Sequence, residues 1–384
     1  MANEYSADCL KVLERLGAAK NVLISGPPGT GKSRLMGEVA RAFDLGLVTP
    51  TASSSPVMDP KGKVPIPPAP PEIDAALAKA MPAPAKKSRK VFRTVFHQNS
   101  KHRDFMTGII PNTQRKPGDP DFTIIQGDLF KASEHGKGPN GAALLVIDEI
   151  NRGPAVQVFG GSIVAIEADK RLKADGAPSL ETQFFDILTP KGTLEAYALP
   201  QDLYILAAMN QADASVEPLD VAFLRRWEPF ILEPNSNVLR SALGIAGADA
   251  VSGELPAAPD SAKDVFEASV RAWEKVNRRI SLGRGAEFQI GHGILMVEVS
   301  PTMTQDQALA ATSNHWGRVR AHVQEVFFGD LRGIAATFNA IDGPDFHPLR
   351  LEEATFADDI RYELAGPSFI GPDKIYDALR AIGI

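Results

Sequence analysis

The spacing of apolar residues changes near residue 233 of the chain. Before that point, short apolar runs with the character of buried strands lie at residues 21–25, 45–48, 91–96, 143–147 and 203–208. Between the first two runs, Leu35, Val39 and Phe43 recur at the spacing of one helix face, which predicts a helix over residues 32–43. Strand and helix in alternation predict an α/β fold whose core is a sheet of about five parallel strands.

After residue 233 the strand signals end and helical periodicity follows. Helices are predicted at residues 262–280, 307–329 and 373–382, and a short helix at residues 6–16 precedes the first strand. The predicted parts of the chain are an α/β domain over residues 1–235, a smaller helical domain over 236–335 and a C-terminal extension over 336–384.

Residues 50–90 interrupt the first domain. They are rich in proline, alanine and serine, a composition that cannot bury enough apolar surface to form a core. We expect an exposed insertion there, and we favour a loop over a proline-rich docking segment. The basic residues around its end favour a solvated linker edge over a phosphate-binding patch. These residues are Lys86, Lys87, Arg89, Lys90 and Arg93.

The composition is that of an ordinary globular protein. Of 384 residues, 44% are hydrophobic and 23% are charged, and the net charge of −6 does not favour a dedicated nucleic-acid binder. The single cysteine, Cys9, excludes a disulfide within the chain and any cysteine-based metal cluster. Neither a secretory signal nor an apolar run of about eighteen residues occurs, so a cytoplasmic location without membrane contact is expected.

Residues 26–33 carry the strongest chemical signal. They read Gly-Pro-Pro-Gly-Thr-Gly-Lys-Ser, which matches G-x-x-x-x-G-K-[ST] between a predicted strand and a predicted helix. In this pattern, backbone N–H groups surround phosphate oxygens, the lysine reaches the β- and γ-phosphates, and the hydroxyl binds Mg²⁺. The candidate phosphate-binding residues are Gly26, Pro27, Pro28, Gly29, Thr30, Gly31, Lys32, Ser33 and the following Arg34.

Residues 144–149 supply a second element of the same chemistry. The run Leu-Leu-Val-Ile-Asp-Glu is a predicted buried strand that delivers two carboxylates to its C-terminal end, where open α/β sheets bind their ligands. Asp148 is expected to hold Mg²⁺ together with Ser33, and Glu149 to orient and polarise the attacking water.

Three further stretches resemble the McrB-like branch of AAA+ proteins, the motor subunits of modification-dependent restriction systems. They are IDEINRG at residues 147–153, AAMNQAD with LDVAFLRRWEPF at 207–230, and EFQIGHG at 287–293. Residues 96–109 and 316–330 are weaker likenesses. The resemblance implies an AAA+ nucleotide-binding domain with a helical lid, acting in a ring of subunits that is hexameric by family habit.

The resemblance also implies roles for individual residues. Asn210 matches the sensor asparagine that helps to place the lytic water, and Arg225 and Arg226 match arginines that reach a neighbouring subunit's nucleotide. His292 matches a lid residue near the nucleotide. Arg318 and Arg320 are weaker candidates for a lid arginine that touches phosphate.

The expected cofactor is Mg²⁺, with ATP or GTP as the substrate, and the MNQAD segment leaves the base open. About twenty residues precede the first predicted strand, so we expect DNA recognition, if any, to come from elsewhere and contact with nucleic acid to be indirect. The implied partner is a separately encoded effector, McrC-like or a nuclease. No Glu-x-Lys sequence typical of a fused nuclease occurs.

Three functions remain open at this point. The favoured one is a motor that powers an effector in anti-phage defence. A MoxR-type chaperone that remodels a protein partner is the alternative. A non-catalytic nucleotide switch is disfavoured, because a switch has no need of the full set of hydrolytic residues.

Overall fold

The structure is a computed structural model that describes residues 5–46, 57–58, 65–66, 75–114, 116, 120–212, 219–357, 359–366 and 370–384. The chain forms two compact units. The first consists of Met1–Ser25 with Lys32–Ile231, and the second of Gly26–Gly31 with Leu232–Ile384.

A parallel sheet of five strands forms the centre of the first unit. Its strands are β1 (Asn21–Ser25), β4 (Ser88–Val95), β7 (Gly141–Asp148), β10 (Leu203–Met209) and β11 (Glu228–Ile231). They lie in the order β11-β1-β10-β7-β4. The central strands are buried on both faces, which is why their sequences are almost continuously apolar. The predicted α/β class and the parallel five-stranded core are confirmed.

One predicted strand does not begin where the apolar pattern placed it, and one strand was missed. The run at 45–48 does not begin a strand, because helix α2 (Lys32–Leu45) continues through Leu45 and Gly46 ends it with φ of 56°; residues 47–48 lie outside the described residues. The fifth strand is instead β11, which pairs only with β1 at the edge of the sheet. Its short sequence contains Pro229, a residue that edge strands tolerate and that weakens a strand signal.

The other described elements of the first unit are helices and antiparallel strand pairs. The helices are α1 (Ala7–Ala19), α2, α3 (Ala75–Ala80), α4 (His102–Phe105), α5 (Asp128–Lys137), α6 (Ala155–Phe159), α7 (Ser162–Ala165) and α8 (Val221–Leu224). The remaining strands form antiparallel pairs: β2 (Val57–Met58) with β3 (Pro65–Ile66), β5 (Thr107–Pro111) with β6 (Phe122–Gln126), and β8 (Phe185–Leu188) with β9 (Leu194–Tyr197). Cys9 is fully buried in α1, and burial raises the pKa of its thiol to about 12, so it packs as an apolar residue.

The basic residues near residue 90 are only partly solvated, which corrects the prediction of a linker edge. Arg89 lies on β4, stacks over the Phe43 ring at 4.1 Å and donates to the Phe43 carbonyl at 2.7 Å. Lys86 forms an ion pair of 3.1 Å with Asp202. These two cations therefore stabilise the first unit, whereas Lys87, Lys90 and Arg93 are exposed.

The second unit is mainly helical. It contains α9 (Ser236–Ala242), α10 (Ala262–Gly283), α11 (Gln305–Val326), α12 (Leu331–Thr337), α13 (Ile375–Gly383) and the hairpin of β12 (Arg350–Phe356) with β13 (Asp359–Ala365). Ser261 and Thr304 begin the two long helices with capping boxes. Trp273 and Trp316 fill the core between these helices.

The C-terminal residues are part of this core. Ile375, Leu379 and Ile382 of α13 are fully buried and belong to the same apolar cluster as Trp273 of α10. The predicted separation of residues 336–384 as an extension is therefore not reproduced in the packing. No helix among the described residues is long and apolar enough to cross a membrane.

Candidate active site

The predicted phosphate loop, Gly26–Gly31, has backbone conformations that favour glycine at three positions. Gly26, Gly29 and Gly31 have φ values of 150°, 80° and 91°. At Gly26 a side chain is also excluded by space, since its Cβ would lie 2.2 Å from the carbonyl oxygen of Leu232. Within the loop, the Thr30 hydroxyl donates to the Pro27 carbonyl at 2.9 Å.

The Gly-His-Gly segment contacts this loop within the second unit. The N–H groups of Gly291 and Gly293 donate to the carbonyls of Pro28 and Gly29, each at 2.9 Å. His292 lies between them and is buried, with 8% of its surface exposed, and its Nδ1 accepts from the Asn235 N–H at 3.3 Å. The histidine is therefore held at the start of α9.

Lys32 is the first residue of α2 and belongs to the first unit. It is buried, at 8% exposed, and this burial lowers the pKa of its ammonium group to about 8, while Glu149 and Asp148 act in the opposite direction. Ser33 and Arg34, the next two residues, are exposed. The lysine is thus a charge with little hydration, beside two carboxylates.

Asp148 is the last residue of β7, and Glu149 follows it directly. Glu149 takes a left-handed backbone conformation with φ of 52°, which costs a non-glycine residue about 1–2 kcal/mol. Its N–H donates to Asp148 Oδ1 at 3.0 Å.

Both carboxylate oxygens of Glu149 accept hydrogen bonds. Asn210 Nδ2, just beyond β10, donates to Oε1 at 2.8 Å, and Arg152 Nε donates to Oε2 at 3.2 Å. Because β7 and β10 are neighbours in the sheet, their ends bring the glutamate and the asparagine together. The structure thus joins two residues that the sequence analysis treated separately.

Asn151 and Arg152 are site residues to which the sequence analysis gave no role. Asn151 Nδ2 donates to the Asn210 carbonyl at 2.8 Å, so it holds the backbone that carries the Asn210 side chain. Its Oδ1 is buried and has no hydrogen-bond partner among the described residues. Their position in the IDEINRG stretch, directly after the carboxylates, was the signal available in the sequence.

The adjacent arginines differ in their surroundings. Arg225 is exposed, and the described residues make no ion pair with it. Arg226 Nε lies 2.9 Å from Glu167 Oε1, and its side chain is only 9% exposed. Arg226 also donates to the Ala222 carbonyl, so it is held within its own chain.

The two weaker candidates for a lid arginine differ in exposure. On α11, Arg318 is exposed and Arg320 is half-buried. Within the described ranges, no group of three or more His, Cys, Asp or Glu side chains is arranged to hold a metal ion. The oxygen atoms of Ser33 and Asp148 suit a cation that takes part of its coordination from phosphate.

Two curated relatives are similar to this chain in sequence. The type IV methyl-directed restriction enzyme EcoKMcrB subunit of Escherichia coli (strain K12) is 28% identical over 226 residues, which are 58% of this chain and 37% of that protein. The type II restriction enzyme BsuMI component YdiS of Bacillus subtilis (strain 168) is 37% identical over 91 residues, which are 23% of this chain and 26% of that protein. The chain therefore spans well under half the length of either relative.

Other comparisons add little. No family model matches the chain. The solved structure of C. elegans PCH-2 is 13% identical, with a TM-score of 0.31 over 81% of this chain and 67% of that one. That score is too low to relate the two folds.

Proposed function

We propose that this chain, a member of the McrB-like AAA+ family, is a Mg²⁺-dependent nucleoside triphosphatase of a restriction or defence system. The observation that carries the proposal is the arrangement of Glu149, which accepts a hydrogen bond from Asn210 at 2.8 Å and interacts electrostatically with the buried Lys32. A base, a polar orienting group and a poorly hydrated cation are among the parts that phosphoryl transfer to water uses.

Each part has a distinct task. Lys32 binds the β- and γ-phosphates, to which its poorly hydrated charge is strongly attracted. Glu149 accepts the proton of the attacking water, and Asn210 orients both that water and the glutamate. Asn151 positions Asn210 through its backbone carbonyl, at 2.8 Å.

A magnesium ion fits the oxygen donors of this chain. Ser33 and Asp148 would hold it, and the ion would neutralise charge on the phosphates when bound. Asp148 Oδ1 also accepts the Glu149 N–H at 3.0 Å, which fixes one carboxylate relative to the other.

We further propose that the chain works in a ring and that Arg225 completes the neighbouring subunit's site. The support is the contrast between the two arginines: Arg226 is bound to Glu167 at 2.9 Å in its own chain, whereas Arg225 is exposed. An exposed guanidinium can stabilise charge on a transferring phosphoryl group across an interface. The effector is a separate protein, McrC-like or a nuclease, and nucleic acid is contacted only in the assembled complex.

The choice of nucleobase and the alternative function both concern the same site residues. Both ATP and GTP are retained as substrates, because the roles proposed for the site residues concern phosphate and water and not the nucleobase. ATP is preferred because adenine is the commoner ligand of AAA+ proteins. A MoxR-type chaperone would use the same site to remodel a protein partner. Competition binding of ATP and GTP measures which nucleobase the protein prefers.

Glu149→Gln and Lys32→Ala together test the hydrolytic assignment. Glu149→Gln should bind Mg²⁺ and triphosphate with normal affinity and stall, because only the base is lost. Lys32→Ala should lose binding while remaining folded. Calorimetry and steady-state hydrolysis separate the two effects, and a Glu149→Gln protein that turns over at the normal rate would contradict the role of the glutamate.

Mixing two inactive variants tests the ring. Arg225→Ala keeps a sound phosphate loop, and Lys32→Ala keeps a sound arginine. In a mixed ring some interfaces pair the two intact halves, so activity should partly return. Mixtures that co-assemble and stay inactive at every ratio would show that Arg225 does not act across subunits.

A further inference from the structure

Residues 290–293, called the strap here, form hydrogen bonds with two consecutive peptide groups of the phosphate loop. The Gly291 N–H holds the Pro28 carbonyl and the Gly293 N–H holds the Gly29 carbonyl, each at 2.9 Å. All of these residues belong to the second unit. Two consecutive loop carbonyls are therefore turned toward the strap.

The N–H groups of the same peptides must point the other way. In a trans peptide the C=O and the N–H lie on opposite sides of the chain, so the N–H groups of Gly29 and Thr30 are directed away from the strap. Neither N–H donates a hydrogen bond to the part of the chain that the structure describes. Two successive N–H groups with one direction form a concavity that binds an anion.

Side chains of α10 and α11 fix the strap at both ends. Asn277 accepts the Ile290 N–H at 2.7 Å and donates to the Ile290 carbonyl at 2.9 Å, and Trp273 Nε1 donates to the same carbonyl at 3.0 Å. On the far side, His315 Nδ1 lies 2.7 Å from the Ile294 carbonyl. The strap is thus hydrogen-bonded to α10 at Ile290, and the residue that follows it lies against His315 of α11.

The contact is close enough to exclude any side chain. A Cβ on Gly291 would lie 2.1 Å from the Gly29 carbonyl carbon and 2.3 Å from the Thr30 nitrogen, and a Cβ on Gly293 would lie 2.8 Å from the Gly29 oxygen. Gly291 has φ of −65° and ψ of 149°, which any residue adopts. Glycine is therefore required at Gly291 by the approach to the loop and not by its own conformation.

We propose that the strap is a positioning element for phosphate binding: it sets the direction of the Gly29 and Thr30 N–H groups that receive the phosphate chain. The Gly-His-Gly signature then acts on the substrate through the loop backbone, without His292 touching the nucleotide. This inference rests on the proposed function. It assigns to Asn277 and Trp273, both distant in sequence from the loop, a share in phosphate affinity.

Alanine substitution in the strap tests the proposal. Gly293→Ala forces the strap away from the Gly29 carbonyl, and Gly291→Ala, whose Cβ meets backbone atoms, cannot be accommodated without movement. Gly317→Ala is the matched control, because it lies on α11 of the same unit and its Cβ would meet only Ile370 Cδ1 at 3.8 Å. Affinities for Mg²⁺ with ATP, GTP or inorganic tripolyphosphate are measured by calorimetry, and amide exchange of residues 290–295 reports whether the strap has moved.

We expect both strap variants to exchange faster over residues 290–295 and to lose on the order of ten- to a hundredfold in affinity, because charge-assisted N–H contacts are misdirected. The loss should be equal for every probe that the wild type binds, since the strap acts on phosphate and not on the base. Gly317→Ala should bind as the wild type does.

The outcomes separate this inference from the proposed function. If Lys32→Ala abolishes binding but strap variants with faster exchange bind normally, the strap does not position the loop, and the phosphate site stands. The same conclusion follows if Gly291→Ala and Gly293→Ala change neither exchange nor affinity. If the wild-type protein binds no triphosphate or tripolyphosphate, both proposals are wrong.

Discussion

Raising the pH is expected to weaken nucleotide binding through Lys32. Burial lowers the pKa of this ammonium group from 10.5 to about 8, so the nucleotide-free protein loses the charge at a pH where an ordinary lysine keeps it. Bound phosphate requires the charged form. Binding must therefore restore the proton, and the apparent Kd rises as the pH exceeds the pKa of the free protein.

The size of the change in apparent Kd follows from the pKa of Lys32. With a value of about 8 in the nucleotide-free protein, the charged fraction of Lys32 falls about tenfold between roughly pH 7 and pH 9, and the apparent Kd should rise by the same factor. Titration calorimetry in buffers of different ionisation enthalpy should detect proton uptake on binding near the upper end of that range.

The stability of the nucleotide-free protein should change in the opposite sense. The pKa of Lys32 is lower in the folded protein than in the unfolded chain, so the unfolded chain binds more protons between the two values and the free energy of unfolding rises with pH. From this residue alone the gain between about pH 8 and pH 9 is ~1 kcal/mol. Lys32→Met, which cannot titrate, is the control, and denaturant unfolding measures the difference.

An affinity that stays constant across this pH range would refute the reasoning about burial. So would an equal pH dependence of unfolding in the wild type and in Lys32→Met. Either result would mean that Lys32 is better hydrated in solution than its exposure of 8% indicates.

Two further predictions concern the other charged groups of the site. Arg225→Ala should lower kcat by on the order of a thousandfold with little change in affinity for the nucleotide. Arg226→Ala should mainly lower the free energy of unfolding, by ~1–3 kcal/mol, because Glu167 loses a partially buried partner. Steady-state kinetics and denaturant unfolding separate the two effects, and equal losses of kcat in the two variants would contradict the distinction. Arg152→Ala should raise the rate of single-turnover hydrolysis about two- to fivefold, because an exposed ion pair worth roughly 0–1 kcal/mol no longer holds Glu149 Oε2. A lower rate would show instead that Arg152 supports the active orientation of the Glu149 carboxylate.

The sequence determined those features whose signal is contained in a short segment. The phosphate loop is readable because glycines, lysine and serine occur at fixed spacing between an apolar strand and an amphipathic helix, and the structure has β1 over the predicted residues. Asp148 and Glu149 are readable because they end a buried strand, although that strand is longer than predicted. Local propensity and binary pattern agree at these places, so no distant residue is needed to interpret them.

Other features depended on residues brought together from distant parts of the chain. Strand β11 is stabilised by pairing with β1 and not by its own pattern. The difference between Arg225 and Arg226 depends on Glu167, and the lowered pKa of Lys32 depends on burial. Neither property is visible in the local sequence.

The strap illustrates the same limit at the phosphate loop. Sequence reasoning placed His292 near the nucleotide, but the hydrogen bonds come from the backbones of Gly291 and Gly293, which carry no side-chain signal. Hydrogen-bond geometry and dehydration depend on distances of a few ångströms between segments that are far apart in the sequence. Those distances are set by packing, which is why only the tertiary structure decided them.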